Sequence, residues 1–155
     1  AGLKRARRLP YVRHETLNTD AEQTFAKTLE RVVGDRYRLS YKVRMADVIG
    51  VRFKRRGKND KQWWRAFRKI SSKHLDVIVS APHGGHIYLA IELDDSSHAR
   101  RSRRQRDEFV NQALQDAGVT LVRFRARQFY KAKEVRELLR PYLDLPDPEA
   151  TAEAV

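Results

Sequence analysis

Cysteine is absent from the 155 residues, which excludes disulfides, thiolate zinc sites and cysteine nucleophiles together. No apolar run approaches the roughly 20 residues that a bilayer-spanning helix needs, and no stretch has the layout of a signal peptide. Internal repeats and low-complexity blocks are missing as well. Negative charge is scarce: 20 Asp and Glu stand against 33 Lys and Arg, a formal net charge of +13. Such a chain repels itself and attracts polyanions, so nucleic acid leads the candidate partners, ahead of an anionic membrane surface and an acidic protein.

What is present suffices for one domain, since the length is the commonest domain size and 41% hydrophobic content fills one core. The ends lack periodicity, which divides the chain into a basic extension over 1–18, a folded unit over 19–143 and a tail over 144–155 with Pro146 and Pro148. The chain starts at Ala1 and runs into Lys4-Arg5-Ala6-Arg7-Arg8. That cluster reads equally as a solvated tail and as a segment beside a membrane anchor N-terminal to this sequence. A cytoplasmic bacterial protein, or one tethered to the membrane in a longer form, is the expectation.

Within the folded unit the elements alternate. Phe25, Leu29, Val32 and Val33 recur at helical spacing over Asp20 to Val33, with Thr19 and Glu22 in a capping-box pattern at the start and Gly34 at the end. A strand is expected over Tyr37 to Met45, an irregular basic stretch through Arg55-Arg56-Gly57-Lys58, and a short helix carrying Trp63, Phe67 and Ile70. Strands over Leu75 to Ser80 and Ile87 to Asp94 flank the turn signal Pro82-His83-Gly84-Gly85. A helix over Ser102 to Ala117, a strand over Val119 to Arg125 and a helix over Ala132 to Leu139 complete an α/β sandwich around a mixed sheet.

Strand alternation yields the sharpest site. Ile87, Leu89, Ile91 and Leu93 take one face of their strand, which leaves Glu92 and Asp94 on the other; Leu75, Val77 and Val79 leave His74 and Asp76 on the opposite parity of theirs. A turn centred near His83 or Gly84 sets Asp76 opposite Ala90 or Glu92, and either register brings the acids together. Facing carboxylates in mid-sheet repel one another and are costly to desolvate. A hard divalent cation, Mg²⁺ or Mn²⁺, relieves both by taking oxygens from Asp76 and Glu92, and ion pairs with some of the many arginines would serve equally.

The string Asp76 … Ile91-Glu92-Leu93-Asp94, preceded by a helix with Glu22 and followed by a long helix and a strand, resembles the αβββαβ core of the PD-(D/E)xK nucleases, the restriction-endonuclease-like fold. Ser71-Ser72-Lys73-His74-Leu75-Asp76 with Glu92-Leu93-Asp94-Asp95-Ser96-Ser97-His98 is similar, within that superfamily, to the bacterial domain-of-unknown-function 2726 family near the very-short-patch repair endonucleases. The resemblance spans about Asp20 to Arg125 and implies a metal-dependent DNA endonuclease with Asp76 and Glu92 as metal ligands and no small-molecule cofactor. It assigns Glu22 to an acid that some branches place on the first helix, against the plain alternative that a capping-box glutamate has no other role. Asp94 stands where the superfamily motif ends in lysine. His98 becomes the candidate for proton transfer or phosphate contact, and Lys73 the candidate replacement cation; His74 is a weaker one.

Arg100, Arg101, Arg103, Arg104 and Arg106 form a basic run that follows His98 directly and, with Arg52, Lys54, Arg55, Arg56 and Lys58, make a candidate phosphate-tracking surface. Trp63 and Trp64 are candidates for stacking on bases, with at least one expected in the core beside Phe67. A catalytically inactive nucleic-acid-binding module with the same fold is the alternative function.

Overall fold

The computed structural model describes residues 7–94 and 101–148. Helix α1 (Asp20–Val33) leads, with the expected capping box complete: Glu22 N donates to the Thr19 hydroxyl at 3.2 Å and Thr19 N to the Glu22 carboxylate at 2.8 Å. It ends at Gly34, whose φ of 64° suits a residue without Cβ. Strand β1 (Arg38–Arg44) passes directly into a single helical turn, α2 (Met45–Val48), and then a loop to α3 (Lys61–Ser71). Strands β2 (His74–Ser80) and β3 (Ile87–Asp94) are joined through a 3₁₀ turn at Pro82–Gly84. Helix α4 (Arg101–Asp116), strand β4 (Leu121–Arg125) and helix α5 (Ala132–Leu139) complete the fold.

The sheet runs β1-β2-β3-β4, antiparallel for the first two pairs and parallel between β3 and β4, as a crossover through α4 requires. It is the expected mixed sheet flanked by helices. Helices α1 and α5 cover one face through Phe25, Leu29, Val32, Val135 and Leu139 packed on Val77, Val79, Leu89 and Ile91. Helices α2, α3 and α4 cover the other through Met45, Ile70, Val110 and Leu114 packed on Ile78 and Ala90. Leu143 is buried and Leu145 packs on the first layer, while Asp144 pairs with Arg36 at 3.0 Å, so the chain stays attached two residues past the expected end of the folded unit.

Two irregularities depart from simple alternation. Leu75 joins the second layer although Val77 and Val79 join the first, and on β1 Val43 and Tyr41 divide in the same way. The break falls where Lys42, with φ of 52°, faces Asp76, a pair missing from the β1–β2 ladder between Tyr41↔Val77 and Val43↔Leu75. The second is a register shift at Val79/Ser80, which sends Ile87 to the second layer rather than the first with Leu89. The shift also sets the sheet's phase, because Val77↔Ile91 then carries Asp76 towards Glu92.

Candidate active site

Past its register shift the β2–β3 ladder is regular from Val79↔Leu89 to Val77↔Ile91. Just beyond it each strand offers a carboxylate to the other's backbone: Leu93 N donates to Asp76 Oδ2 at 2.8 Å, and Asp76 N to Glu92 Oε1 at 3.4 Å. Side-chain oxygens thus take over from ladder carbonyls where the strands part, and the two acids meet in the gap. Glu92 is 4% exposed and, with Ser80, one of two buried polar residues among those described. Burial pushes its carboxyl up to about 8, the Asp76 charge opposite adds to the rise, and Arg106 and Arg123 pull the other way. A buried acid facing another acid keeps its proton near neutrality, which makes the position a candidate for ion binding or proton handling.

The guanidiniums nearby are tied to other partners. Arg123 on β4 lies opposite Glu92 in the parallel register, but its Nη1 binds Asp94 Oδ1 at 2.7 Å and its Nε and Nη2 fork onto Asn111 Oδ1 at 3.1 and 2.8 Å. Arg106 on α4 bonds Asp107 at 3.1 Å and donates from Nη2 to the His74 carbonyl at 3.1 Å, two residues before Asp76. The ion pairs of the neighbourhood therefore run through Asp94 and Asp107.

The acids supply hard oxygen donors that fit a divalent cation, with water and substrate oxygens completing its shell. Among the described residues no group of three or more His, Asp and Glu is arranged for a metal.

The remaining expected site residues divide. Asp94 lies beside the pair and is held by Arg123. Glu22 caps α1 and forms an ion pair with Lys42 at 3.1 Å, both local uses of its carboxylate. The Lys73 ammonium donates to the Lys69 carbonyl and lies 4.7 Å from the centre of the Phe109 ring, so its contacts are with α3 and α4 rather than with Asp76. His74 is exposed, and it is its carbonyl that meets Arg106. His98 and Arg100 lie outside the described residues. Arg101, Arg103 and Arg104 are exposed on the first turn of α4.

Neither tryptophan belongs to a core layer. Trp63 stacks on Phe67 at 5.1 Å, Trp64 meets it edge-on, and Arg55 sits 5.4 Å from both indole centres. Trp64 Nε1 donates to the Lys58 carbonyl at 2.9 Å, so the pair braces the basic loop against α3. Sequence reasoning missed Asn111 and Arg123, and it placed Arg106 only within the basic run at the start of α4. For Arg123 the signal was available: it shares strand parity with Leu121, which packs in the α4 layer, while Phe124 packs opposite.

A family model described as protein of unknown function (DUF2726) matches residues 14–142. No curated protein and no solved structure gives a significant match.

Proposed function

The chain belongs to the DUF2726 family of proteins of unknown function, and from that footing we propose, on the acid pair itself, that it is a metal-dependent DNA endonuclease with a restriction-endonuclease-like core. The observation that carries the reading is Glu92, 4% exposed and facing Asp76 across the opened end of β2 and β3. A buried pair of acids is costly to maintain, and a divalent cation offsets that cost while serving a reaction.

Asp76 and Glu92 would hold Mg²⁺ or Mn²⁺, and such an ion would supply Lewis acidity towards a phosphate oxygen and a water. The backbone N–H of Leu93 fixes Asp76 Oδ2, so one acid is oriented before any ligand arrives. Glu92 carries a proton near neutrality and would have to release it to serve as a ligand. Arg123 and Asn111 hold Asp94 beside the pair, where it can receive a hydrogen bond from an attacking water. His98 is the candidate proton carrier. Arg101, Arg103 and Arg104 beside the site, with Arg55, Arg56 and Lys58 on the loop before α3, supply phosphate contacts.

Supercoiled plasmid incubated with Mg²⁺ or Mn²⁺ tests the reading. Nicking that disappears in EDTA and in Asp76→Ala supports it. Binding without cutting under every metal refutes it and favours the inactive DNA-binding module, a reading that draws on the Asp94–Arg123 pair at the position of the motif lysine.

A further inference from the structure

A groove of about 1130 Å³ opens between α3, α4 and the loop over residues 48–53. One stripe of α3 lines it at helical spacing, with Gln62, Arg65, Ala66, Lys69 and Ile70 all facing in. The floor is apolar: Val48, Ile49 and Val51 are half-buried there, and Phe109 of α4 supplies an aromatic wall. The rim is cationic, through Arg52, Arg65 and Lys69. The one acid of the lining is Asp116, whose carboxylate takes the Gln112 amide and whose carbonyl takes Arg52 Nη2.

The cations continue out of the groove towards the acid pair. Lys69 and Lys73 both place their ammonium groups by the Phe109 ring, at 5.9 and 4.7 Å from its centre. Arg106 is one turn earlier on α4 and binds the carbonyl of His74, two residues before Asp76. Burial together with the charges of Arg106 and Lys69 pulls Lys73 below the usual lysine range, a sign that these positive groups crowd one another. Crowded like charges repel, and a polyanion laid along them relieves the repulsion.

A duplex offers such a line phosphates but hides the faces of its bases, leaving the apolar floor against water. An unpaired strand offers both, phosphates to a cationic rim and base faces to apolar and aromatic side chains. An acidic amphipathic peptide shares the second property. The net charge of +13 and the succession of Arg65, Lys69, Lys73 and Arg106 towards the acid pair favour the strand.

We propose that this groove binds an unpaired nucleic-acid strand leading away from Asp76 and Glu92, with Arg52, Arg65 and Lys69 on its phosphates and Phe53 and Phe109 against its bases. The direction of the strand rests on the nuclease reading; the binding does not. Fluorescence anisotropy of the full chain in EDTA, with a labelled single strand of about 12 nucleotides and a hairpin duplex of the same sequence, measures it without turnover. The single strand should bind more tightly, and Arg65→Glu with Lys69→Glu, both exposed on α3, should weaken it about tenfold or more while moving the duplex far less. An oligonucleotide carrying 5-iodouracil should crosslink to residues 48–53 or Phe109. Equal losses for strand and duplex, no loss for either, crosslinks confined elsewhere, or displacement of nothing but an acidic amphipathic peptide would each overturn the groove assignment. A protein that never cuts but binds the strand as described refutes the nuclease reading and leaves the groove standing.

Discussion

Replacing Glu92 with Gln should make the protein more stable at alkaline pH, although it removes a buried polar group's charge and nothing else of its shape. In the folded chain the Glu92 carboxyl is pushed up to about 8 from an ordinary value of 4.5. The folded state thus binds a proton that the unfolded state has released, and stability falls as pH rises between those two values. At about 1.4 kcal/mol per pH unit the full loss is roughly 4 to 5 kcal/mol, reached above pH 8 and absent below pH 4.5. Gln cannot ionise and imitates the protonated acid. Urea unfolding followed by Trp63 and Trp64 fluorescence in EDTA, from pH 5 to pH 9, should therefore give curves that meet at the acid end and separate by several kcal/mol at the other. Mn²⁺ at about a hundred times its dissociation constant should return about 2.7 kcal/mol to the parent at pH 8 and little to the variant. Parallel curves across that range would show that Glu92 ionises as freely as in water, and the argument for a cation between these strands would collapse.

Affinity for plasmid DNA should fall steeply with added salt, since each phosphate neutralised by Lys or Arg releases counterions; a flat response in a salt titration would contradict phosphate tracking. Arg123→Ala should lower stability by about 1 to 3 kcal/mol, because Asp94 and Asn111 lose their shared partner, and Asp94→Asn together with Arg123→Ala should cost less than the sum of the single changes in a double-mutant cycle. His98→Ala should reduce cleavage while leaving the thermal unfolding curve in place; unchanged turnover would remove His98 from the site.

Much of the architecture is written locally. Helix α1 carries its own start and stop in Thr19, Glu22 and Gly34, and β3 shows its buried face in the alternation of Leu89 and Ile91. The meeting of Asp76 and Glu92 followed from that alternation even though two of its premises fail. Leu75 and Ile87 both face the layer opposite to the one their parity implies, because a left-handed residue at Lys42 and a shifted register at Val79/Ser80 reset the pleat. Neither feature has a sequence signature, since lysine is a poor predictor of positive φ and the shift shows no glycine. The single turn α2 is not anticipated, since the expected strand runs to Met45 and the rest falls in the irregular stretch, because four residues hold too little periodicity to reveal a helix. Lys73 was placed near Asp76 by proximity in sequence, yet the α3 and α4 surfaces claim its ammonium. The cations that do influence Glu92 come from α4 and β4, and pairing them with it required knowing the crossover that lays β4 alongside β3.

The outermost strands have a bearing on how copies of the protein can meet. One rim of the sheet is β1, with Arg38, Lys42 and Arg44; the other is β4, with Arg123 and Arg125. Exposed basic side chains on both margins, Arg38 on β1 and Arg125 on β4, disfavour pairing of two copies edge to edge into a longer ribbon. That disposition leaves the helical flanks as the more favourable faces for contact between copies.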